Sequence, residues 1–152
     1  MKILYKNSKI RSIDLAPLIR RLLFSWLTAV TVENILIPVD LADTDSVKYF
    51  TGLSDGTKIT DAAVYESMMG SQAFSLVMVR VADAAEAKEI AQHMKDNIDP
   101  RKWICVGADE VMAAGYGDTV LFVMLDSSLG LKAQSYVDAF TDICGGKLDF
   151  TI

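Results

Sequence analysis

Apolar residues recur at helical spacing from Asp14 onward. Leu15, Leu18, Ile19, Leu22, Leu23, Trp26 and Val30 fall at i, i+3, i+4, i+7, i+8, i+11 and i+15, and predict an amphipathic helix within 13–34. Asp14 stands where an N-cap belongs, and Pro17 lies in the first turn, where a missing N–H breaks no intrahelical bond. Residues 32–39 give no clear period and read as a connection ending at Pro38. Asp43, Thr44 and Asp45 then open a short helix carrying Val47 and Phe50, with Gly52 placed to close it. The Asp43-x-Asp45 spacing lacks the glycine and terminal glutamate of a calcium loop, so capping is the favoured reading.

Strand patterns follow. ITDAAVYESMM and QAFSLVMVRVA flank Gly70-Ser71 and predict a hairpin over 59–82 with a two-residue turn. Its second arm is apolar on both faces, as an interior strand is. Asp83 and Glu86 form an Asp-x-x-Glu capping box before a helix with Ala87, Ile90, Ala91, Met94 and Ile98 on its core face and His93 on its solvated flank. Asp99-Pro100 ends that helix, and Trp103–Val106 reads as a short strand that could run parallel to 72–82. A second hairpin is expected from Val111–Ala114 and Thr119–Leu125 around Gly115-Tyr116-Gly117-Asp118. The last helix begins near Ser127 or Ser128, buries Leu129, Ala133, Tyr136, Val137, Phe140 and Cys144, and stops at Gly145-Gly146.

This order predicts an α+β fold: a two-layer α/β sandwich with a mainly antiparallel or mixed sheet and helices on one face. One domain spanning 1–152 accommodates it, since a chain of this length buries a sufficient core. Composition agrees, because 51% hydrophobic and 23% charged residues is a globular profile.

Charge changes the picture more. The net charge of −5 argues against nucleic acid as a partner, which would require a clustered basic field. Yet residues 1–21 hold six basic groups against the single acid Asp14, and the rest hold nine basic and nineteen acidic groups. The basic leader, 1–12, is thus suited to weak contact with an anionic membrane surface. The uncharged run Leu22–Val32 is too short to span a bilayer, and the helix containing it is expected to pack on the domain.

Motifs for catalysis are missing. With one histidine, His93, and two distant cysteines, there is no zinc ligand set and no triad of the usual kind, and no phosphate-binding glycine loop or nucleophile elbow occurs. No cofactor or metal is expected. Cys105 and Cys144 are expected as free buried thiols, with a disulfide between them as the alternative. Two segments stand out as a candidate binding surface. Tyr65-Glu66-Ser67-Met68-Met69 sets a carboxylate beside soft, adaptable side chains, and Asp99-Pro100-Arg101-Lys102-Trp103 sets two cations beside an indole. The residues singled out are Arg101, Lys102, Trp103, Tyr65 and Glu66.

The run YESMMGSQAFSLVMVRVADAAEAKEIAQHMKDNIDPRKWICVGADEV, followed by GDTVLFVML and VDAFTDICGG, resembles a bacterial domain-of-unknown-function family of predicted lipoproteins and secreted proteins from Gram-positive anaerobes. The resemblance covers 35–146. It implies an extracytoplasmic place at the cell envelope and carries no catalytic residues; relatives there usually begin with an export signal and a lipid-accepting cysteine, whereas no cysteine precedes Cys105 here. The leading expectation is a non-enzymatic binding or interaction domain with an unknown protein or small-molecule partner. A carboxylate-dependent enzyme acting on a small molecule or envelope component is the alternative.

Overall fold

The computed structural model describes residues 15–26 and 34–152. The leader 1–12, the Asp14 cap and the helix end near Val30 lie outside the described residues. So do the side chains of 16 and 22–26.

Helix α1 (Leu15–Trp26) is followed by strand β1 (Asn34–Pro38), helix α2 (Thr44–Thr51), and strands β2 (Ile59–Ser67) and β3 (Phe74–Val81). Then come α3 (Ala87–Asn97), β4 (Glu110–Tyr116), β5 (Thr119–Leu125), α4 (Ala133–Ile143) and β6 (Phe150–Thr151). The strands form one six-stranded sheet in the order β1-β2-β3-β5-β4-β6, antiparallel at each pairing. The fold is α+β, as the sequence pattern implies.

Layering departs from the expectation of helices on one face. Val64, Val77, Val79 and Phe122 pack with Val47 of α2 and Ile90, Ala91 and Met94 of α3. Phe74, Leu76, Met78 and Leu121 belong to a second core with Leu15, Leu18 and Ile19 of α1 and Tyr136, Val137 and Phe140 of α4. Helices therefore cover both faces, in three layers. The physical reason lies in β3 and β5, whose apolar residues point both ways; a single helical layer would leave one of those faces in water.

The expected parallel strand at Trp103–Val106 is a loop. Both edges of β3 are already filled, by β2 and β5, so no parallel slot remains beside it. Conversely, 34–38 is a strand and not a connection, and β6 adds an edge the period did not reveal. The first hairpin turns through 68–73 and not through a two-residue loop.

Two helix starts are also delayed. Asp83 Oδ1 accepts from Ala85 N–H at 2.9 Å over a 3-10 turn, and α3 proper begins at Ala87. The Glu86 carboxylate pairs with Lys58 at 3.4 Å, so the expected capping box is not formed. Asp126 likewise caps a 3-10 turn over 127–129 through Ser128 N–H at 2.8 Å, and α4 starts six residues later than its first serine suggests. The second hairpin and the Gly145-Gly146 stop lie where expected.

Candidate functional site

Two short segments meet at one corner of the sheet. Helix α2 is set by Asp43, whose carboxylate accepts from Asp45 N–H at 3.1 Å and Ser46 N–H at 3.3 Å. It ends at Gly52, with φ of 76°, a left-handed conformation that favours glycine. A Cβ there would lie 2.7 Å from Ile98 N and 2.9 Å from Met94 O, so glycine also lets the end of α2 sit on the end of α3. Val47 and Thr51 face inward, which leaves Tyr49 at the surface and Phe50 half-buried beside it.

The chain then leaves α3 through Asp99-Pro100. Asp99 Oδ1 accepts from Arg101 N–H at 2.8 Å, and Lys102 N–H donates to Asp99 O at 3.4 Å. This turn sends Lys102 back into the molecule. Its ammonium lies 2.6 Å from Glu66 Oε2, and the two side chains are only 3% and 8% exposed. Ser75 Oγ–H donates to the same carboxylate oxygen at 2.9 Å, as the register allows, since Glu66 and Ser75 are cross-strand partners on β2 and β3.

Aromatic rings close the rest of the cage. The Lys102 ammonium lies 4.5 Å from the Tyr49 ring centre and 5.4 Å from those of Phe50 and Trp103. A cation held by π-faces and one carboxylate keeps some of the stabilisation that water would supply. Burial still draws its pKa below the ordinary lysine value, while Glu66, and to a smaller extent Asp99, hold it up. The Tyr49 phenol is pushed above its ordinary value, first by partial burial and then by the charges of Glu66 and Asp99.

The five sequence-derived candidates are thus divided. Glu66, Lys102 and Trp103 come together. Arg101 is exposed, and Tyr65 points to the opposite face of the sheet, where its ring meets Phe74 edge-on at 6.1 Å. Adjacent residues on a strand alternate in direction, so Tyr65 and Glu66 could not share one surface. Trp103 is 7% exposed and its indole N–H has no hydrogen-bond partner among the described residues. It is a wall of the cage and not an outward anchor.

Tyr49, Phe50 and Ser75 were missed. Ser75 had a signal, being the one hydroxyl in the apolar run FSLVMVRV. For Tyr49 and Phe50 there was only an aromatic pair on a short helix.

Around the cage the surface is apolar. Among the described residues, the large hydrophobic side chains that are exposed are Ile35, Tyr49, Met68, Met69 and Ile104. Ile35, Tyr49 and Met68 line one open groove of about 290 Å³ with Ile37, Phe50 and Glu66. Ile104, 92% exposed, stands beside Gly70, and Cys105 N–H donates to Gly70 O at 3.1 Å, so the 99–108 loop is tied to the loop bearing Met68 and Met69. A second cleft of about 380 Å³ adjoins the first through Tyr49 and is lined by Asp45, Lys48, Asn97, Asp99 and Lys102.

The two cysteines are free thiols. Cys105 is exposed, against the expectation of burial, because its loop turns Trp103 and Val106 toward the core and leaves Ile104 and Cys105 facing outward. Cys144 is partly buried, and burial, then Asp149, pushes its pKa up to about 12. Among the described residues, the carboxyl groups with shifted values are Asp55 and Asp109, both lowered by hydrogen bonds, first from the side chains of Thr57 and Ser127 respectively. Neither is a candidate for a proton donor at neutral pH. Among the described residues no helix is long and apolar enough to cross a membrane, and no three His, Cys, Asp or Glu side chains converge as metal ligands do.

No family model, no curated protein and no solved structure matches the chain.

Proposed function

We propose that the chain is a non-enzymatic interaction domain and that its contact surface is the corner bearing Ile35, Tyr49, Met68, Met69 and Ile104. One observation carries the reading: the exposed large hydrophobic side chains among the described residues gather at that corner and not over the surface at large. A clustered apolar patch costs solubility, and on a folded domain it marks a place where something docks. Methionines beside it adjust to a partner's shape, while the Lys102–Glu66 pair gives the surface a rigid floor. The adjoining clefts are open, which suits a broad contact better than an enclosed small-molecule site. Association with the bacterial cell envelope belongs to the same proposal and rests on the family resemblance together with the basic leader. Fractionation of the producing cells checks it.

The test of the surface is a random peptide library displayed on phage and selected against the folded protein. Selected peptides should bind the parent protein and lose binding to a Met68→Glu, Ile104→Glu double variant of unchanged fold. Peptides that bind both proteins equally, or a selection that enriches nothing, would refute the assignment.

A further inference from the structure

Strand β1 lies at the end of the sheet order, and among the described residues it pairs with β2 alone. Its sequence, NILIP, carries no charged residue to deter company along the edge, and its one blunting feature, Pro38, stands at its last position. The register tells which backbone groups face outward. Val39 N–H donates to Ala62 O at 2.9 Å, in line with the β1–β2 pairing. Backbone direction alternates along an antiparallel strand, so Ile37 and Ile35 aim their N–H and C=O groups at β2, and Leu36 aims both away from it. Pro38 falls on the outward register, where its missing N–H costs no bond to β2 and confines the donors offered to an added strand to Asn34 and Leu36.

Side chains make the same edge receptive. Ile35 and Ile37 form one wall of the 290 Å³ groove whose other wall is Tyr49 and Phe50 of α2. A strand added beside β1 would lay alternate side chains toward this groove. The charge of the neighbouring cleft says what should flank them. Lys102 is neutralised there by Glu66, which leaves Asp45 and Asp99 against Lys48. Over residues 34–152 as a whole, nine basic groups face eighteen acidic ones.

We infer that the partner is an extended peptide segment, apolar at alternate positions and flanked by basic residues, which joins the sheet by pairing with the outer edge of β1. The inference rests on the interaction-domain reading and names the partner's chemistry. Main-chain bonds to Leu36 supply the register, the groove selects apolar side chains, and Asp45 and Asp99 attract the flanking cations.

The probe is a fluorescein-labelled octapeptide alternating isoleucine with threonine between terminal lysines, compared with its analogue N-methylated at alternate amides. Anisotropy titrations at low salt should show binding of the first and at least about tenfold weaker binding of the second, the effect of losing one or two hydrogen bonds. In the complex, hydrogen exchange of the Leu36 amide should slow by about tenfold or more, while Ile35 and Ile37 are unchanged. An Asp45→Asn, Asp99→Asn variant should bind several times more weakly, and the difference should vanish in high salt. Equal binding of both peptides, lost in the Met68→Glu, Ile104→Glu variant, would overturn strand addition and leave the apolar patch standing. Binding of neither peptide, with library peptides still binding at the patch, would overturn the inference alone.

Discussion

Replacing Lys102 by methionine separates the two things a buried ion pair does. The Lys102 and Glu66 charges lie 2.6 Å apart, and at an effective dielectric constant of about 20 their attraction is about 6 kcal/mol. Taking each ion out of water costs several kcal/mol, so the pair as a whole is close to break-even. The single substitution is different. It leaves Glu66 buried with Ser75 as its hydrogen-bond partner, and should cost about 3–5 kcal/mol of folding stability. Removing both charges, as Lys102→Met with Glu66→Leu, leaves the buried Ser75 hydroxyl without its carboxylate partner, at about 1–3 kcal/mol. The double variant should therefore be more stable than Lys102→Met. Guanidinium unfolding of the parent, both single variants and the double variant at pH 7 gives the coupling energy directly. Additive losses within about 0.5 kcal/mol would refute the account, because they would mean that the two charges are solvated separately and the cage is open.

Other outcomes follow from the same geometry. Because burial lowers the folded-state pKa of Lys102, the unfolded chain binds more protons between that value and 10.5, and this group makes stability rise with pH in that window. Glu66→Gln removes the charge that holds the pKa up, so the window should extend to lower pH, as unfolding curves from pH 7 to 10.5 can show. Gly52→Ala should cost more than about 1 kcal/mol in thermal unfolding, since the left-handed backbone is strained for alanine and its Cβ would meet Ile98 and Met94. At Gly115 an added methyl would fall on the Phe150 ring, and Gly115→Ala should lose about 1–3 kcal/mol and loosen β6, seen as faster amide exchange at Ala113. Alkylation of the native protein at pH 8 should label Cys105 quickly and Cys144 slowly, because thiolate is the reacting form and burial suppresses it at Cys144. Non-reducing mass analysis should show no Cys105–Cys144 bridge.

Local chemistry was legible wherever one residue acts on its own neighbours in the chain. Asp43 as a cap, Gly52 as a stop, Pro100 as a break and the apolar runs of β3 and β5 are all decided by backbone dihedrals, orphan N–H groups and a period of two or 3.6. The α+β class followed from those. Capping at Asp83 and Asp126 shows the boundary of such reasoning: each aspartate caps as its type predicts, but a 3-10 turn intervenes, and Glu86 turns to Lys58, 28 residues away in sequence. Nothing within the helix encodes that choice.

The rest belongs to tertiary structure. Two apolar faces on β3 require two covers, yet the pattern does not say which helix goes to which face, and the chain's connections decide it. Lys102 and Glu66 were each visible as charges beside an aromatic or a methionine; that they face one another follows from a turn at Asp99 and a strand register 36 residues away. Tyr65 was lost from the site by the same register that kept Glu66. Edge strand β1 had too few residues to announce its period, and only its pairing with β2 at the end of the sheet makes it an edge. Spacing along the chain determines how a segment folds locally, whereas the meeting of distant side chains depends on how the sheet and its helices exclude water together.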